Sequence, residues 1–175
     1  GEKIEAVGSF EGQAYDELVP AEGLIAFPGF IDAHTHFDLD VCNTTTADDF
    51  SSGTLSALCG GTTTVIDFAC PNKGESLTYG LELWNKKANS RGCACDYGFH
   101  MTTDDWNPDI IAELPKMIES GVSSFKIYMT YLAMMIGDKA LSEALKELKK
   151  IIIKLNDYDY KYKSGRKSNG YLSLA

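Results

Sequence analysis

Residues 28–36, Pro-Gly-Phe-Ile-Asp-Ala-His-Thr-His, open a run of alternating strand-like and helix-like segments, and that alternation decides the fold. Turn-prone Pro28-Gly29 breaks the preceding chain, and Phe30 to His34 reads as a strand. Ala47 to Cys59 reads as a helix, with Asp48 and Asp49 complementing its N-terminal dipole and Gly60-Gly61 ending it. The β-branched stretch Thr63 to Phe68 gives a second strand, and Ser76 to Asn89 a second helix with Ser76 as N-cap. Tyr97 to His100 and Pro108 to Ser120 repeat the pair, with Gly121 just past the helix end. Ser124 to Met129 and Lys139 to Lys150 repeat it again, the last helix carrying Leu141, Ala144, Leu145 and Leu148 on one stripe. Four successive strand-helix units predict an α/β fold: a parallel sheet wrapped by helices, which closes as a (β/α)8 barrel. A complete barrel takes about 250 residues, so a chain of 175 supplies about half of one.

The flanks have a different texture. Upstream, Lys3 to Val7 alternates as a half-buried strand would, and Leu18-Val19 and Leu24 to Ala26 are short strand-like pieces. With a first residue other than Met, the chain is expected to begin inside a structure, residues 1–27 being part of a β-sandwich. Downstream, residues 149–175 hold seven of the sixteen Lys and Arg, four of the nine Tyr and two acids, a net charge of +5 against −14 for residues 1–148. Such a shift marks a boundary. Ile151 to Ile153 could open a fifth strand, but the remainder lacks core-forming periodicity, so residues 151–175 are expected to be disordered, with a basic interaction arm as the alternative. The expected division is therefore 1–27, 28–150 and 151–175.

The net charge of −9 and pI near 4.7 argue against nucleic acid or an anionic membrane as partner, since both attract basic patches. A small neutral or weakly charged substrate fits better. No apolar run approaches the ~18 residues of a membrane span, and the opening GEKIEAVGSF is not a signal peptide, so the chain is expected to be soluble and cytoplasmic. Five scattered cysteines, an odd number, predict reduced thiols; Cys93-Ala-Cys95 alone is a weak case for a metal clip.

Two features carry chemistry. Side chains two apart on a strand share a face, so His34 and His36 project together while Ile31 and Ala33 face the other layer. Two imidazoles so spaced can share a zinc-like divalent ion, and they end the first strand of a barrel whose active site collects at the C-terminal strand ends. A strand that merely happens to end in His-Thr-His is the alternative. In Ser124 to Met129, alternation turns Phe125, Ile127 and Met129 toward the helices and Ser124, Lys126 and Tyr128 into the barrel. An ammonium there must find a counter-charge, lose its proton or be modified. A salt bridge to Asp67, expected to point inward, and modification of Lys126 both stay open on the residues alone.

The segments PGFIDAHTHFD, TTADDFSSGT, GGTTTVIDFA, CDYGFH and SSFKIYMTY, in this order, closely resemble the dihydropyrimidinases and hydantoinases of the amidohydrolase superfamily. The resemblance covers about residues 1–148 and stops in the tail. It implies a metal-dependent hydrolase in which His34 and His36 bind one metal and Lys126, carboxylated by carbon dioxide, bridges two divalent ions, zinc by expectation. It places the family's catalytic tyrosine at Tyr131, its hydroxyl directed at the oxyanion formed on ring opening. It further implies that Leu39 and Val41 shape the substrate pocket, with loop packing as the alternative. The implied reaction is hydrolysis of a cyclic amide, a dihydropyrimidine or a hydantoin, by a metal-bridged hydroxide. The implied full-length parent is a homodimer or homotetramer. His100, Asp67, Asp38 and Asp40 are not promoted to ligands, and His100 is expected to pack or position.

The family draws two further histidines and an aspartate from later strands, while this chain has three histidines in all. The chain as given is therefore expected to be an inactive N-terminal fragment, through truncation with a changed reading frame. The competing readings are a non-catalytic dihydropyrimidinase-related scaffold, and a dihydroorotase or allantoinase type of enzyme. A dihydroorotase usually carries arginine just after the second histidine, where this chain has Phe37.

Overall fold

The computed structural model describes residues 4–162 and 172–174, with side chains up to Ile151. In chain order it runs β1 (Phe30–Thr35), the short hairpin β2 (Asp40–Val41) and β3 (Thr44–Thr45), α1 (Phe50–Cys59), β4 (Thr62–Ala69), α2 (Leu77–Arg91), β5 (Asp96–Thr103), α3 (Pro108–Glu119), β6 (Phe125–Ile127), α4 (Asp138–Tyr162) and β7 (Leu172–Leu174). Strands β1, β4, β5, β6 and β7 lie side by side in that order, every pair parallel. Each step along the sheet follows chain order with a helix between, the arrangement of a half-barrel.

Local chemistry sets the helix starts, and α1 begins at Phe50 rather than at Ala47 because Asp49 caps it. The Asp49 carboxylate accepts from Ser52 N–H at 2.8 Å and caps α1. Ser76 Oγ accepts from Tyr79 N–H and caps α2. Asn107 Oδ1 accepts from the N–H groups of Asp109 and Ile110 at the head of α3, with Pro108 at the first helical position, where no N–H is needed. Gly121, at φ +91°, turns the chain out of α3 in a conformation that side chains rarely adopt.

The core lies between the sheet and its helices. Ala69 of β4, Met101 of β5 and Phe125 and Ile127 of β6 meet Leu81 and Trp84 of α2, Leu114 and Met117 of α3 and Ala144 and Leu148 of α4, all buried. Each large apolar side chain so buried contributes about 1.5–3 kcal/mol. Phe125 and Ile127 face the helices as alternation requires, but Met129, past the strand end, is exposed.

Three expectations change. Residues 4–29 form no strand, and the apolar side chains of Ile4, Val7, Leu18, Val19, Leu24 and Ile25 are exposed: alternation gives a strand only when a neighbouring strand takes up its N–H and C=O groups. Ile151 to Ile153 open no strand but continue α4. Their spacing extends the stripe of Leu141, Ala144 and Leu148 by three and four residues, the helical period. The strand that pairs with β6 comes instead at Leu172–Leu174, so the tail expected to be disordered supplies the end of α4 and β7, while 163–171 and 175 fall outside the described residues. The third is Asp67, which faces α2 and not the barrel interior. No helix among the described residues is long and apolar enough to cross a membrane.

Candidate metal centre

The polar groups of the sheet's inner face gather around one phenylalanine. Phe68 of β4 is 1% exposed. Its ring centroid lies 4.6 Å from that of His34, 4.9 Å from His36 and 4.8 Å from His100. The Lys126 Nζ sits 4.5 Å from the same centroid and 5.2 Å from that of Tyr128. His34 and His36 are 5.1 Å apart, edge to face. The structure thus brings together three side chains singled out from sequence, His34 of β1, His36 just past its end and Lys126 of β6, on a platform contributed by β4.

Lys126 is 7% exposed and makes no ion pair with a carboxylate among the described residues. The ring faces of Phe68 and Tyr128 give its charge a partial partner, worth about 1–2 kcal/mol when desolvated, well short of the several kcal/mol that burying an ammonium costs. The salt bridge to Asp67, one of the two readings left open by the sequence, does not form. Asp67 lies on the other face of β4 with Val65 and Ala69, fully buried toward α2, where it accepts from Trp84 Nε1. In a parallel sheet both faces are covered and apolar, so the strand's own pattern does not reveal which of Asp67 and Phe68 looks inward.

His36 has its pKa lowered by burial first, then by the Lys126 charge and by His34. Its neutral form, the metal-ligating form, is favoured. His36 Nδ1 is buried without a hydrogen-bond partner. An orphaned ring nitrogen and a neighbouring imidazole on the same face fit a divalent cation, whereas an unmodified Lys126 ammonium would repel it. The fit is incomplete within this chain, since no group of three or more His, Cys, Asp or Glu is poised to hold a metal among the described residues.

Both ring nitrogens of His100 are engaged in hydrogen bonds. Its Nε2 lies 3.0 Å from the Ala33 carbonyl, which only accepts, so the proton sits on Nε2 and Nδ1 accepts from the Ser124 hydroxyl. The ring thereby ties β5 to β1 beneath the two histidines and offers no nitrogen to a metal. Tyr131 lies in the loop after β6, 69% exposed, its ring 6.4 Å from that of Tyr128. Its φ of +65° is a left-handed conformation, uncommon for a side chain of this size and found where the surroundings over-determine it. Leu39 packs against the core, while Val41 is exposed on the β2–β3 hairpin, whose turn residues Cys42 and Asn43 have positive φ. Phe37 faces away from the histidine pair: its ring fills a notch on α1 in which a Cβ on Gly53 would come within 2.2 Å of it, and stacks edge-on with Phe50. All five cysteines are free.

Sequence reasoning missed Phe68. Its signal was present, as the aromatic residue that ends a β-branched strand next to an acid, but nothing in one strand says that three others will lean on it.

A half-barrel with paired imidazoles and a buried lysine at the C-terminal strand ends has the layout of a metal-dependent hydrolase barrel. The comparisons agree, and the chain belongs to the amidohydrolase family, whose model matches residues 25–156. It is 45% identical over 130 residues to a D-hydantoinase of Geobacillus stearothermophilus, covering 74% of this chain and 27% of that protein. It is 38% identical over 136 residues to the dihydropyrimidinase of Rattus norvegicus, covering 77% and 26%. Among solved structures, a D-hydantoinase matches with TM-score 0.67 and 39% identity, over 77% of this chain and 32% of the other. The dihydropyrimidinase of Brevibacillus agri matches with TM-score 0.67 and 33% identity over the same shares. The chain therefore spans under a third of the length of these relatives.

Proposed function

We propose that this chain is the part of a cyclic-amide hydrolase that carries one side of its metal centre, and that the whole enzyme opens the ring of a dihydropyrimidine or a hydantoin. The observation that carries the reading is the convergence of His34, His36 and Lys126 on Phe68, with a buried ammonium that no carboxylate neutralises. His34 and His36 would hold one divalent ion, zinc by preference, through neutral imidazoles. Lys126, carboxylated by carbon dioxide, would become an anionic oxygen donor shared by two ions, which removes the uncompensated charge. When bound, the metal supplies Lewis-acid polarisation of the ring carbonyl and a nucleophilic water at neutral pH. Tyr131 donates its hydroxyl to the oxyanion that develops on that carbonyl, at the mouth of the site. Leu39 and Val41, in the segment following His36, border the substrate. Five free thiols suit a reducing cytoplasm.

A single observation favours the non-catalytic reading for the chain by itself: it assembles two histidines and no third His, Cys, Asp or Glu around a metal among the described residues. One experiment addresses both. Residues 28–150 are grafted in place of the matching segment of the Geobacillus stearothermophilus D-hydantoinase, and the chimera and the free chain are assayed with zinc and bicarbonate. The chimera is expected to open dihydrouracil or hydantoin, and the free chain neither. Turnover of dihydroorotate in their place would reassign the substrate class.

A further inference from the structure

The residues between and after the two histidines are held from behind by one buried carboxylate. Asp67 Oδ2 accepts from Thr35 Oγ1 and from the Phe37 N–H, each at 2.9 Å. Its Oδ1 accepts from the Phe68 N–H at 2.7 Å and from Trp84 Nε1 at 3.3 Å. Thr35 separates the two histidines and Phe37 follows the second. On an extended chain, fixing these alternate residues to one face sends His34, which precedes them, and His36, which separates them, to the other.

The sheet does not provide this by itself. Asp32 pairs with Val65 and Thr35 with Asp67, so three steps on β1 meet two on β4 and the ladder breaks across Ala33 and His34. Such a bulge leaves side-chain direction underdetermined by pairing alone. β1 then ends at Thr35, before His36. The carboxylate takes over where the ladder stops. A buried carboxylate is costly and is retained here among four donors, which an acceptor-only group satisfies and an apolar residue would not.

We infer that Asp67 is the positioning residue of the candidate metal centre: by clamping Thr35 and Phe37 on the helix-facing side, it presents His34 and His36 together on the other. The inference deepens the metal-centre reading and rests on it for its purpose, though the clamp can be tested without metal.

The test uses the 175-residue chain with Asp67→Asn, Thr35→Val and Trp84→Phe. Zinc is titrated against a chromophoric chelator, and the histidine rings are followed by NMR without metal. Asp67→Asn sets an amide N–H against one pair of donors; it is expected to weaken zinc binding about 10–100-fold, the usual effect of losing an outer-shell partner, and to abolish the ring-to-ring contact between His34 and His36. Thr35→Val should move both in the same direction and carries the comparison if Asp67→Asn does not fold. Trp84→Phe spares the Oδ2 bonds, so it should cost stability and leave zinc affinity and the ring contact unchanged. Wild-type zinc binding and ring contact in a folded Asp67→Asn or Thr35→Val protein would overturn the inference, as would an equal effect of Trp84→Phe. If zinc shifts neither histidine of the unsubstituted chain, the metal reading fails, and the metal-free ring contact still decides the clamp.

Discussion

Replacing Phe68 by alanine removes the surface on which the site is built. The side chain is 1% exposed, so nearly its whole area is withdrawn from water. A buried phenylalanine covers about 150–250 Å², which at about 25 cal/mol per Å² corresponds to about 4–6 kcal/mol. Alanine retains part of that, and measured Phe→Ala losses run about 3–5 kcal/mol. The Lys126 ammonium over the ring adds about 1 kcal/mol. An expected loss of about 4 kcal/mol is a large share of the 5–15 kcal/mol that holds a typical domain together. Phe68→Leu, which keeps most of the volume but not the π-face, should lose about 1–2 kcal/mol. Urea unfolding, followed by the fluorescence of Trp84 and Trp106, measures both through the midpoint at constant slope. A Phe68→Ala protein within about 1 kcal/mol of the parent, below the range for an emptied aromatic site, would refute the placement of this ring beneath the histidines.

Lys126 separates stability from function. Lys126→Met should leave the metal-free chain as stable or more stable by about 1 kcal/mol or more, because it removes an uncompensated buried charge. In the hydantoinase chimera, Lys126→Ala should lose metal and activity, with partial rescue by short carboxylic acids; full metal occupancy in that variant would count against a bridging role. His100 has its pKa lowered chiefly by burial, the bond to the Ala33 carbonyl opposing. The unfolded chain therefore binds a proton first, and the stability His100 contributes is present above its ordinary value near 6.5 and declines as pH falls from there toward its lower folded value. Unfolding midpoints measured through that window should fall with acidification, less so in His100→Gln. Burial pushes the Cys70 thiol up to about 11, so at neutral pH iodoacetamide should label exposed Cys42 and Cys59 well before Cys70, as read by peptide mass spectrometry; equal labelling would place Cys70 at the surface.

The strand-helix alternation from Pro28 to Lys150, the cap at Ser76 and the turn at Gly121 are local: each depends on residues within a few positions of one another, so sequence alone determined them. The pairing of His34 with His36 on one face was legible for the same reason, as was the inward direction of Lys126, because strand alternation has a period of two. Three matters were settled only in three dimensions. Asp67, expected to point inward, faces α2, and Phe68 takes the inner face, because both faces of a parallel strand are buried and only the neighbouring strands and α2 tell inside from outside. The segment from Ile4 to Ala26 stays without a strand despite its alternation, because a strand exists only as one half of a ladder. The clamp on Thr35 and Phe37 joins residues 30 or more positions apart across a register break, and no spacing along one strand encodes it.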